Sequence, residues 1–277
     1  MARNIFLPGW SLKGEMIHIE GEQLHYLKNV VRVQRGDELS AIIGDRRYEL
    51  RVSVLQEGRI ICNITGARNI MREHRISILV YLGLLKSKKM DFAVAKLSEL
   101  GVKAMCPLKT ARTVPGGCPG EEKIKRWEKI ALEGAKVSGA ETVMKILPIR
   151  TIAAAVEELR DKEGEYKIVF SLPSADRDLG GRNAPSNAVP GNNAASGDAL
   201  IPDTQSIPIR KVLDDIGFHE GMVLHLFFGP EGGYSPEEFH ALTGAGAVPA
   251  SMGEHVLKSE TAAIVGAGFI RLYYAGL

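Results

Sequence analysis

Cysteine is scarce: Cys62, Cys106 and Cys118 stand far apart, with no C-x-x-C pair and no Cys/His spacing suited to zinc. A zinc-built fold and a disulfide scaffold are both excluded, so no metal and a reducing, cytoplasmic setting are expected. Long apolar runs are missing as well. No stretch approaches the ~20 apolar residues of a membrane span, and the N-terminal residues lack the apolar core of a signal peptide. No membrane partner is expected. The common nucleotide and hydrolase signatures are also absent: no G-x-x-x-x-G-K-[ST], no strand followed by G-x-G-x-x-G, no G-x-S-x-G and no H-E-x-x-H. A P-loop NTPase, a dinucleotide-binding Rossmann enzyme, an α/β-hydrolase and a zincin are set aside.

What is present is ordinary globular composition, 45% hydrophobic and 25% charged over 277 residues. That is enough for one or two domains. The formal charge of +2 hides an asymmetry. The first 150 residues hold 26 basic and 16 acidic side chains, a net +10, and the remainder is net −8. A basic half beside an acidic half suggests a polyanion gripped on one side.

Residues 1–70 read as short alternating strands, at 16–19, 38–43, 48–55 and 59–64, with one helix over 22–30. This describes a small β-rich barrel or sandwich. Residues 66–75 are polar and basic and read as a linker. From residue 74 to 277 strands alternate with helices. Strands are expected at 76–85, 102–108, 166–172, 222–228 and 247–252, and helices end at Gly101 or span 121–138, 151–160, 236–243 and 259–274. Such alternation predicts a mostly parallel α/β sheet with helices on both faces. Between Ser174 and Pro208, 26 of 35 residues are Gly, Pro, Asn, Ser, Ala or Asp, which reads as a flexible insertion.

The chemistry concentrates near the C-terminus. In LFFGPEGGYSPEEF (226–239) an apolar strand runs into a glycine-rich loop and then a helix start, with Ser235 as N-cap, Pro236 next and Glu238 closing a capping box. A loop at the carboxyl end of a parallel strand is where open α/β sheets bind ligands. A second glycine-bearing loop follows in SMGEHVLKSETAA (251–263). Two such loops separated by one helix would line one pocket, and their exposed main-chain groups suit an adenine and a small polar tail.

These motifs, GPEGG followed by MG-x-x-VLK-x-ETA, resemble the small-subunit ribosomal RNA uridine-N3 methyltransferase family of the SPOUT class. Three more segments carry the likeness: HYLKNVVRVQRGDEL (25–39), KSKKMDFAVAKLSELGV (86–102) and RWEKIALEGAK (126–136). The resemblance implies a PUA-like RNA-binding barrel in front, a back domain threaded into a trefoil knot, S-adenosylmethionine as cofactor and a homodimer. It also implies small-subunit ribosomal RNA, or the assembled subunit, as partner. The chain departs from the family where His255 and Lys258 replace arginines, at Ala111-Arg112-Thr113, and around Ala140.

On this basis the main chain of Leu172, Phe228, Gly229, Pro230, Gly232, Met252, Gly253, Val256 and Leu257 is expected to hold the cofactor. Lys258 and His255 are candidates for stabilising charge on the uracil oxygens, and Glu231 and Glu260 for the base. His25, Lys28, Arg32, Arg35, Lys86, Lys88, Lys89 and Arg112 are candidates for RNA phosphate contacts. Two other readings stay open: the same fold acting on another ribosomal RNA base or a ribose 2′-hydroxyl, and an RNA-binding or ribosome-assembly factor without catalysis.

Overall fold

The computed structural model describes residues 4–70, 76–113, 119–160, 162, 164–171 and 206–275. The chain builds two sheets with separate cores. The first contains β1 (Asn4–Phe6), β2 (Leu12–Lys13), β3 (Met16–Ile19), β4 (Glu38–Ile43), β5 (Arg46–Leu55) and β6 (Ile60–Asn69), in the order β1-β4-β5-β6-β3-β2. Neighbours are antiparallel except β1 and β4. Period-two alternation directs one face inward: Tyr48, Leu50 and Val52 of β5 are buried, while Glu49 and Arg51 point out.

Two sequence expectations change here. Strand β6 runs on to Asn69, pairing Gly66–Asn69 with Arg46–Glu49, so the first four residues of the expected linker belong to the sheet, while 71–75 lie outside the described residues. Its polar side chains misled the reading, because the ladder is made by main-chain groups and tolerates them on a solvated face. The expected helix over 22–30 is α1 (Gly21–Tyr26) followed by a π-helical turn, Leu27–Val31. That turn stops at Arg32, whose φ of 58° and ψ of 48° are left-handed. Leu24 and Leu27 face the core and Val30 and Val31 lie outside it.

The second sheet comprises β7 (Ile76–Gly83), β8 (Ala104–Lys109), β9 (Lys145–Ile146), β10 (Arg150–Thr151), β11 (Glu165–Phe170), β12 (Ile207–Pro208), β13 (Met222–Phe228) and β14 (Val248–Ser251). The order is β10-β8-β7-β13-β11-β14-β12, with β9 on β8, and every pair is parallel. One face packs on α2 (Ser87–Glu99), α3 (Glu121–Ser138), α5 (Ile209–Ile216) and α7 (Ser259–Ala275). The other packs on α4 (Ile152–Leu159) and α6 (Pro236–Gly244). Ile78, Val80 and Leu82 of β7 enter the first core and Tyr81 the second, which explains why these strands read as unbroken apolar runs. His225 is fully buried within such a run. It is satisfied from both neighbouring strands, by Glu165 at 2.5 Å and the Tyr81 hydroxyl at 3.3 Å.

Helix α5 and strands β1, β2, β9, β10 and β12 were not expected. The insertion read over 174–208 lies outside the described residues up to 205, and its last two residues form β12 against β14. Thr151 caps α4 as expected, accepting from Ala154 N–H. No helix among the described residues is long and apolar enough to cross a membrane.

The carboxyl end of α3 joins the two sheets. Asn4 donates to the carbonyls of Gly139 and Ala140 at 2.9 and 3.1 Å. Glu141 accepts from Arg47 at 3.0 Å and from Arg68, and the Lys136 ammonium sits 5.5 Å from the Tyr26 ring. Burial alone would raise the Glu141 carboxyl, but the Arg68 and Arg47 hydrogen bonds outweigh it and hold the group below its ordinary range. A carboxylate depressed on folding stabilises above its unfolded pKa, and this contribution disappears as pH falls through the folded value. Glu141→Gln should therefore cost about 1 kcal/mol near neutral pH. Wild type and variant should converge below about pH 4. Denaturant unfolding across that range checks it; a constant difference at all pH values would refute the assignment.

Candidate active site

Strands β13, β11 and β14 end side by side, with β11 in the middle. The connection from β7 runs one way along the sheet, to β8, and that from β13 runs the other way, through α6 and past β11 to β14, so the strand order reverses between β7 and β13. Such switch points leave a crevice beyond the strand ends. Here it is a cleft of about 580 Å3, within the roughly 300–1,000 Å3 usual for small-molecule sites.

The two glycine-bearing loops meet in this cleft. Phe228, Gly229, Pro230, Glu231 and Gly232 line one side, and Met252, Gly253, His255, Val256 and Leu257 the other. Leu172 lies outside the described residues; the strand before it, β11, runs beside β13, pairing Phe170 with Phe228. The capping box at Ser235 and Glu238 is present in full and sets where the first loop ends.

Sequence reasoning named Phe228 but missed Phe170, its partner in the floor. Phe170 and Phe228 stack with centroids 4.4 Å apart and planes within 6°. Both line the cleft, as do Ser171, Tyr234, Ser259 and Ala262. Two glycines outside the lining set its shape. A Cβ on Gly83 would lie 2.4 Å from the nitrogen of Pro230, and one on Gly266 would lie 2.9 Å from Cζ of Phe228 and 3.3 Å from Sδ of Met252. Strand-end position in a parallel sheet was the available signal for Phe170; nothing local marked Gly83 or Gly266.

The expected charged groups divide. His255, Glu231 and Arg112 are on the wall. Lys258 is exposed and is not on the wall. Glu260 is buried in the first turn of α7, and its Oε2 has no hydrogen-bond partner among the described residues. Lys89, expected on RNA, donates to Glu231 at 2.9 Å. Burial is the largest single influence and would raise the Glu231 carboxyl, but the Lys89 hydrogen bond, a main-chain hydrogen bond and the charges of Lys89 and Lys86 together hold it below its ordinary range. Arg112 donates to the Gly232 carbonyl at 3.0 Å. Lys28 is spent on the carbonyls of Gln56 and Glu57, at 2.6 and 2.9 Å. His25, Arg32, Arg35, Lys86 and Lys88 remain exposed.

A parallel sheet with a cleft beyond its strand ends, next to a smaller β-rich unit, defines an α/β protein with a small-molecule site. The chain belongs to the RNA methyltransferase family, whose domain model matches residues 72–183 and 197–271. Residues 19–65 match the model of the RNA methyltransferase PUA domain. Among curated proteins, ribosomal RNA small subunit methyltransferase E of Bacillus subtilis is 24% identical over 88% of this chain and 85% of its own length. The protein of the same name from Mycobacterium bovis is 25% identical over 93% and 86%. In fold, the chain is similar to a crystal structure of ribosomal RNA small subunit methyltransferase E from Neisseria gonorrhoeae bound to S-adenosyl methionine. The TM-score is 0.74 and the identity 22%, over 99% of this chain and 98% of that one.

Proposed function

We propose that this protein uses S-adenosylmethionine to methylate N3 of a uridine in small-subunit ribosomal RNA. The observation that carries the reading is the meeting of two glycine-bearing loops in one cleft at the sheet's switch point. The names of the relatives support the substrate. The stacked aromatic floor suits a flat adenine, and the main-chain groups at Gly229–Gly233 and Met252–Leu257 suit a small polar tail. When bound, S-adenosylmethionine supplies an activated methyl group on a sulfonium.

The chain's own residues must then hold the uracil N3 in line, exclude water and manage a proton. Glu231, tied to Lys89 and lowered in proton affinity, is a poor base. His255 on the wall is better suited to take the N3 proton, and the Arg112 guanidinium to stabilise negative charge on the uracil oxygens. Lys258 and Glu260, off the wall, act at most through their neighbours.

The same reading divides the chain at about residue 70, with an RNA-binding PUA-like unit over 1–70 and the methyltransferase unit over 74–277. It includes a trefoil knot around the C-terminal segment and a cytoplasmic location. A homodimer is supported by an apolar stripe on α7, where Val265, Phe269 and Leu272 are exposed, and by exposed Phe92 on α2. Sedimentation equilibrium tests that assembly.

Phosphate contacts are assigned to His25, Arg32, Arg35, Lys86 and Lys88. Arg32 offers a clean test because its left-handed backbone costs an L-residue about 1–2 kcal/mol. Arg32→Gly relieves that cost while freeing the unfolded chain, so stability should hold or rise by up to about 1 kcal/mol. RNA affinity should fall, and the slope of log K against log salt should shrink by about 0.7–0.9. Unchanged salt dependence would remove Arg32 from the interface.

The function is tested by mapping modified nucleosides in ribosomal RNA from a strain lacking the gene. The N3-methyluridine signal of the small subunit should vanish and return on complementation; a persistent signal overturns the reading.

A further inference from the structure

We propose that Glu238 is a positioning residue for methyl transfer, acting through Arg112; this rests on the function proposed above. Its carboxylate ties together two segments far apart in the chain. Oε2 accepts from the Ser235 N–H at 2.9 Å and closes the capping box of α6. Oε1 accepts from the Ala111 N–H at 2.7 Å, in the turn that follows β8. Capping needs only the first of these bonds. The second is a charge-assisted bond that fixes the 110–113 turn against the glycine-rich loop.

The turn closes itself locally, with the Thr110 N–H donating to Thr113 Oγ1 at 2.9 Å. Local closure leaves its placement undetermined. Placement comes from Glu238 on Ala111 and, one residue on, from Arg112 donating to the Gly232 carbonyl at 3.0 Å. The approach is close, since a Cβ on Gly232 would lie 3.0 Å from Cβ of Arg112. Arg112 is the cation on the cleft wall. A preorganised charge is effective only where it is held, and a displacement near 1 Å can cost up to about 100-fold in rate. Glu238 reaches no part of the cleft itself, so its effect passes through the turn.

The test compares E238A, E238Q, S235A, R112A and R112A/E238A, with labelled S-adenosylmethionine and small ribosomal subunits lacking the methyl group. E238A should lower kcat about tenfold and leave KM for S-adenosylmethionine within about threefold. E238Q, which keeps one acceptor oxygen, should recover part of the loss. S235A removes the hydroxyl half of the cap; it should lower Tm and lower kcat clearly less than E238A does. The double variant should be no slower than R112A, since both act on one group. Additive losses in the double variant, or an equal loss in S235A, overturn the proposal. Amide hydrogen exchange gives a second reading without turnover. Exchange at Ala111 should quicken in E238A and not in S235A, and unchanged exchange in E238A also overturns it. Absence of methyl transfer by the unaltered protein counts against the methyltransferase reading instead, and leaves the exchange result to judge the tie.

Discussion

Replacing Gly83 by alanine is expected to weaken S-adenosylmethionine binding by about 10- to 100-fold, although Gly83 lies outside the cleft. The residue ends β7, where β13 passes alongside and turns into the glycine-rich loop. An added Cβ would lie 2.4 Å from the Pro230 nitrogen, 2.5 Å from its Cδ and 2.9 Å from the Gly229 carbonyl carbon. All three atoms belong to main chain or to a ring locked onto it, so no side-chain rotation relieves the clash. Overpacking of this kind costs about 1–3 kcal/mol. The glycine-rich loop is the part that can move, and it is the part that lines the site. At about 1.4 kcal/mol per factor of ten, the strain appears as the stated loss of affinity. Titration calorimetry measures it; G83A with wild-type affinity would show that the loop's place does not depend on β7.

Phe228→Ala should destabilise the protein by about 3–5 kcal/mol and remove measurable cofactor binding. Phe228 is 1% exposed, stacks on Phe170 and touches α7 at Gly266. Truncation leaves a cavity beneath the cleft that the flanking parallel strands are too constrained to fill. Phe228→Leu keeps most of the volume and should cost less than about 1.5 kcal/mol. It also lacks a flat face, so cofactor affinity should still fall while the fold persists. Urea unfolding and calorimetry on both variants separate packing from binding. An alanine variant within about 1 kcal/mol of wild type would mean the ring pair is not a packed floor.

Much of this was legible in the residues. The strand Met222–Phe228 and the helix Glu121–Ser138 were bounded correctly, because apolar periodicity and caps are local signals. The capping box at Ser235 was legible for the same reason. Short strands such as Arg150–Thr151 and Ile207–Pro208 were not, since two residues carry no period and exist only through their partners. The roles of Lys28, Lys89 and Arg112 were read from charge alone. The structure instead gives each a specific acceptor: the Gln56 and Glu57 carbonyls, Glu231 and Gly232. Charge type is a property of a residue, but what it pairs with depends on which distant segment folds against it.

By itself, the sequence determined that a β-rich unit precedes a parallel α/β unit, that the positive charge gathers in the first 150 residues, and that two glycine-bearing loops follow two late strands. Turn chemistry, caps and periodicity are written within a few residues of one another, so they survive in one dimension. Only the tertiary structure decided that Phe170 completes the floor, that Gly83 and Gly266 govern the walls, and that Glu238 reaches Ala111. Those relations join residues up to about 150 positions apart, and they exist only because adjacent parallel strands bring their ends into one plane.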